Sequence, residues 1–96
     1  MELLLEKLKA VNRMLSLSRY PTLDLHGETR DTIYTLLKQF IQDNVKLKQS
    51  IVVVVHGKSS QILKKEVHYY LSKMKEIETF HLDYWNNGVT VIQLKI

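Results

Sequence analysis

Five consecutive β-branched apolar residues, Ile51-Val52-Val53-Val54-Val55, constrain the fold more than any other stretch of the chain. Such side chains disfavour helix and pack well on a pleated surface. Because a strand alternates its side chains, this run presents apolar rows to both faces of a sheet. It therefore belongs in a sheet interior, with helices over at least one face.

The flanking sequence supplies the neighbours such a strand needs. Thr22 to His26 reads as a short strand. Residues 30–48 place Ile33, Leu36, Leu37, Phe40 and Ile41 on one helical face, and residues 60–75 do the same with Leu63, Val67, Tyr70, Leu71 and Met74. Phe80, Leu82 and Tyr84 alternate with His81, Asp83 and Trp85, which predicts a half-buried strand. Asn86-Asn87-Gly88 is a turn, and Val89 to Leu94 is the return strand of a hairpin. The order βαβαββ predicts an α/β fold: a two-layer sandwich on a mixed sheet, with two parallel crossovers and one antiparallel hairpin.

The single proline, Pro21, marks a joint. Ahead of it Leu4, Leu8, Val11 and Leu15 form an amphipathic stripe. The predicted organisation is an N-terminal helical arm over residues 1–19 and a domain over residues 20–96. The arm either packs on its own domain or serves self-association or a partner; its heptad-like spacing is too short for a coiled coil.

A chain of 96 residues allows one domain. The absence of cysteine excludes disulfides, thiolate nucleophiles and Cys-based zinc sites. No apolar run approaches a membrane span, and charges interrupt the first residues where a secretory signal would be apolar. A soluble, cytoplasmic domain without a membrane partner is expected. The net charge of +4 is unevenly spread: residues 44–75 carry seven lysines against one acidic residue, Glu66. That block is either ordinary solvation or the electrostatic footprint of a polyanion.

Two segments repeat one small device. Leu23-Asp24-Leu25-His26-Gly27 and Val54-Val55-His56-Gly57-Lys58 each end a strand in His-Gly and hand over to a helix N-terminus. In a parallel sheet both strand ends lie on one edge, where ligands bind. A helix N-terminus offers free N–H groups to anions, imidazole exchanges protons near neutral pH, and lysine holds phosphate. Two imidazoles, the Asp24 carboxylate and the Lys58 ammonium are thus expected to converge on a shared groove. Asp24, His26 and His56 have the composition of a divalent-ion site, but no tight ligand spacing accompanies them, so no resident metal is expected. His68 and His81 read as surface residues without a role.

These motifs, together with Asn87-Gly88-Val89-Thr90-Val91 and a short final strand, resemble the small MutS-related (Smr) domain over residues 22–96. The family continues its second motif as His-Gly-x-Gly, whereas here Lys58 is followed by Ser59 and Ser60, a stiffer loop that supplies hydroxyls for hydrogen bonding and helix capping. The resemblance implies a nucleic-acid-binding domain, in several members a nicking DNA endonuclease or an RNA endonuclease. Members occur attached to mismatch-repair-like proteins and as stand-alone chains acting on DNA or ribosome-bound messenger RNA. It further implies Asp24 and His26 as catalytic candidates, with His56, Gly57 and Lys58 holding or activating phosphate.

The expected function is therefore phosphodiester cleavage of RNA or DNA. Asp24, His26 and His56 are the catalytic candidates, and Gly27, Gly57, Lys58, Ser59, Ser60, Lys64 and Lys65 the phosphate-binding ones. RNA cleavage needs no cofactor, with His26 as base and His56 as acid; DNA cleavage would need activated water and a divalent ion. The alternatives are a non-catalytic module that grips nucleic acid or a ribosome through Lys46, Lys48, Lys58, Lys64 and Lys65, and an interaction protein working through its N-terminal helix.

Overall fold

A computed structural model of the chain describes residues 19–58 and 60–96. The predicted arm, apart from residue 19, lies outside the described residues, as does Ser59. Six elements follow Pro21: strand β1 (Thr22–Asp24), helix α1 (Arg30–Lys46), strand β2 (Ile51–Val55), helix α2 (Gln61–Lys73), and strands β3 (Ile77–Leu82) and β4 (Val89–Leu94). The sheet order is β1-β2-β4-β3. β1 pairs parallel with β2, while β4 lies antiparallel to both β2 and β3. This is the mixed βαβαββ sheet expected, with β2 interior.

The two helices bury short stripes on one face of the sheet. α1 contributes Ile33, Leu37 and Ile41, and α2 contributes Leu63, Val67 and Leu71, all meeting Val52, Val54 and Ile92 in one core. Leu36 lies at the stripe's border and is exposed. α1 stops in a hydrogen-bonded cap: Lys48 donates to the Val45 carbonyl and Gln49 to the Asn44 carbonyl, with Lys48 at φ 57°. Glycine usually occupies that left-handed position. α2 starts at Ser60, whose Oγ accepts the Leu63 N–H at 3.1 Å, so the capping role available to a serine here is filled.

Three strand boundaries differ from the sequence reading: β1 ends at Asp24 rather than His26, β3 begins at Ile77 rather than Phe80, and the end of β3 moves as well. β3 ends at Leu82 rather than running on to Trp85. The reason is Asp83, which is buried and accepts N–H groups from Trp85 and Asn86 at 3.1 and 3.0 Å. A carboxylate bonded to the backbone two and three residues on turns the chain.

Candidate nucleic-acid interface

Both His-Gly joints lie at the same edge of the sheet, in contact with one another. A side-chain carbon placed on Gly57 would lie 3.9 Å from the His26 Cβ. Leu25 N–H donates to the Val55 carbonyl at 2.7 Å, extending the β1–β2 ladder into the loops.

The first joint is open. Asp24 Oδ1 accepts the His26 backbone N–H at 3.0 Å and sits 3.6 Å from His26 Nδ1, with side-chain exposures of 62% and 74%. Glu28 N–H bonds the Leu25 carbonyl at 3.0 Å, closing a turn whose third residue, Gly27, has φ +85°. His26 at the second position keeps a negative φ, which makes this a type II turn and explains the glycine. The carboxylate thus fixes the backbone of the residue whose ring it also faces.

The second joint is closed. His56 is 0% exposed. Its Nδ1 lies 3.3 Å from the Gly57 carbonyl and its Nε2 2.9 Å from Thr90 Oγ1; His68 Nε2 reaches the same hydroxyl at 2.8 Å. A carbonyl only accepts, so His56 carries its proton on Nδ1 and its Nε2 accepts from the Thr90 hydroxyl. That oxygen in turn accepts from His68 Nε2–H. The two rings meet edge to face at 5.9 Å. Burial lowers the pKa of His56, with the nearby Lys64 charge adding to it and the Gly57 hydrogen bond opposing it. His68 is lowered by burial, then by His56 and Lys64.

The expectation that both imidazoles face one groove is therefore corrected, and the sheet register gives the cause. Asp24 pairs with Val55, not with Val54. His26 consequently lies level with Gly57, and His56 is level with Leu25. A one-residue offset exchanges faces, so His26 shares the outward side with Asp24 while His56 shares the helix-covered side with Leu25 and Val54. Asp24, His26 and His56 do not come together as ligands, and among the described residues no group of three or more His, Asp or Glu side chains is placed to hold a metal ion. His68 is also corrected, from a surface residue to a half-buried member of the inner network. His81 is exposed, as expected.

The turn before β4 closes the edge. The Gly88 carbonyl accepts from both His56 N–H (2.9 Å) and Gly57 N–H (3.0 Å). A Cβ at position 88 would fall 2.7 Å from the Lys58 nitrogen and 2.8 Å from the Gly57 carbonyl carbon, so only glycine permits this backbone contact. Lys58 and Lys65 are exposed and Lys64 is half-buried near the two inner histidines. Thr90 and His68 escaped the sequence reading, and their only signal was a polar residue amid the apolar β4 and a histidine next to the buried Val67.

The fold is that of a known family. The Smr domain model matches residues 23–95, and the chain belongs to the Smr domain family. Among curated proteins it is 33% identical over 76 residues to the endonuclease MutS2 of Geobacillus sp. (strain WCH70), and 35% identical over 83 residues to that of Agathobacter rectalis. These alignments cover 76% and 83% of this chain but 10% of each relative, so the chain spans about a tenth of their length. The crystal structure of the Smr domain of Thermus thermophilus MutS2 superposes with a TM-score of 0.76 at 25% identity, covering 79% of this chain and 99% of that one. YdaL, a stand-alone small MutS-related protein from Escherichia coli, shares the fold with a TM-score of 0.74 at 19% identity, covering 80% of this chain and 68% of that one. Among the described residues no helix is long and apolar enough to cross a membrane.

Proposed function

We propose that the chain cleaves nucleic-acid phosphodiesters at the edge formed by Asp24, His26, Gly57 and Lys58. The observation that carries this reading is the exposed Asp24–His26 pair held against the Gly57 loop. The naming of MutS2 relatives as endonucleases supports it. On RNA, His26 takes the proton of the ribose 2′-hydroxyl, the freed oxygen attacks phosphorus, and the 5′-oxygen leaves with a proton from water. Asp24, 3.6 Å from His26 Nδ1, orients the imidazole, and Lys58 balances charge on the phosphate. His56 is a positioning residue here: its ring, locked to Thr90 and the Gly57 carbonyl, holds the loop that carries Lys58. On DNA, with no 2′-hydroxyl, water must be the nucleophile.

The burial of His56 favours a second reading, a module that binds nucleic acid without cutting it, because only one imidazole of the two joints is open to solvent. One assay separates them: cleavage of single-stranded RNA and of supercoiled plasmid, with and without chelator, by the wild type and by His26→Ala. General acid–base catalysis contributes about 10²–10⁴-fold, and a loss of that order in His26→Ala is the expected result. Binding with no cleavage of either substrate leaves the non-catalytic module.

A further inference from the structure

We propose that Tyr84 and Trp85 form a base-stacking platform through which this edge selects single-stranded over duplex nucleic acid, an inference that rests on the nucleic-acid reading above. The turn that carries them is held at several points. Asp83 accepts two of its N–H groups, Asn86 Oδ1 accepts the Gly88 N–H at 3.0 Å, and the Gly88 carbonyl is clamped by His56 and Gly57. On this fixed backbone stand two large aromatic side chains turned to solvent. Tyr84 is 83% exposed and Trp85 40%, their rings edge to face with centroids 5.0 Å apart.

A tight turn needs no aromatic residues; Asn86-Asn87-Gly88 already supplies the residues that turning requires. The pair is therefore available for a ligand, and a rigid mount limits the entropy lost on binding. Its position specifies what the ligand must contain. Gly88, in the same turn, packs against the Lys58 backbone, and Gly57 next to it packs against His26, so the turn that carries the aromatic pair lies at the same edge of the sheet as Lys58 and His26. A flat aromatic face beside a cation and an imidazole matches a nucleotide, whose base stacks while its phosphate meets the charge. Every base has a π-face, and stacking on an aromatic side chain is worth about 1–3 kcal/mol per base. In a duplex those faces are already covered by neighbouring base pairs.

The chain has one tryptophan, so its emission reports on position 85 alone. The full chain is titrated with a short single-stranded oligonucleotide bearing 2′-O-methyl sugars, which blocks cleavage, with the same strand annealed to its complement, and with an abasic strand of equal length. Emission should be quenched by the base-bearing single strand only. Tyr84→Ala and Trp85→Ala should each weaken single-strand binding by about 5- to 150-fold, leaving duplex and abasic affinities unchanged, and Trp85→Phe should restore most of the loss. Tyr84 is so exposed that its truncation does not disturb the fold. Equal affinity for base-bearing and abasic strands, with unquenched emission, overturns the platform and leaves phosphate binding standing. Failure to bind any of the three overturns the nucleic-acid reading as well.

Discussion

The two His-Gly joints are near-copies in sequence and opposites in structure. Leu-His-Gly at the end of β1 leaves its imidazole in solvent beside a carboxylate; Val-His-Gly at the end of β2 turns its imidazole into the protein, onto Thr90 and His68. A parallel register that pairs Asp24 with Val55 separates them by one residue and hence by one face of the sheet. Repetition of a motif therefore did not mean repetition of a role. The outer histidine is open to solvent beside a carboxylate, and the inner one is locked by hydrogen bonds to Thr90 and the Gly57 carbonyl.

The largest effects should fall on different observables at the two joints. His26→Ala should abolish most cleavage while leaving the melting temperature near that of the wild type. His56→Ala should cost about 2–3 kcal/mol of stability, from lost packing and a Thr90 hydroxyl without its acceptor. At roughly 4–8 °C per kcal/mol for a domain of this size, thermal denaturation resolves that shift easily. A stable His56→Ala protein would break the distinction.

Glycine substitutions sharpen the same contrast. Gly88→Ala brings a methyl group against backbone at both Gly57 and Lys58, so about 1–3 kcal/mol of destabilisation should come with weakened oligonucleotide binding, because the second joint must move. Gly27→Ala meets nothing within 4 Å, and its cost should be the conformational one alone, about 1–2 kcal/mol. Denaturant titration and binding, measured on the same two variants, test this.

A smaller effect separates the joints by pH. The pKa values of His56 and His68 are lowered from 6.5 in the folded chain. The unfolded chain then binds more protons in the range between the folded values and 6.5, so stability rises with pH there. The contribution is present above pH 6.5 and is lost as pH falls through the lowered folded values. Melting temperature should drop on acidification, and less steeply in His68→Gln. Identical pH profiles for the two proteins would remove the inner pair as the cause.

Much of this molecule was legible in the sequence, and the rest was hidden for identifiable reasons. The Ile51–Val55 run, the stripes of α1 and α2 and the Asn86-Asn87-Gly88 turn are local patterns, and the elements built on them form where periodicity places them. The register of β1 on β2 is not local. The two strands are joined through a 17-residue helix rather than a tight turn, so nothing near either strand reveals which residue of one meets which of the other. That single unknown decided which histidine faces water. Alternation through Trp85 likewise concealed the end of β3, because the stop comes from the Asp83 side chain reaching forward rather than from a glycine or proline. His68 was misread because its partner Thr90 is 22 residues away. The Asp24–His26 pair was readable because its members lie two residues apart on one strand edge.

The central claim is that the outer imidazole meets the ligand while the inner one is a shielded, neutral strut. Long-range nitrogen–proton spectra of the four histidine rings, recorded at neutral pH with and without a short 2′-O-methyl single strand, test it most directly. The account predicts that His26 resonances move on addition of the strand, while His56 stays in its Nδ1–H form and His68 in its Nε2–H form. A His56 ring that is charged or that shifts with the ligand, beside an unmoved His26, would contradict it.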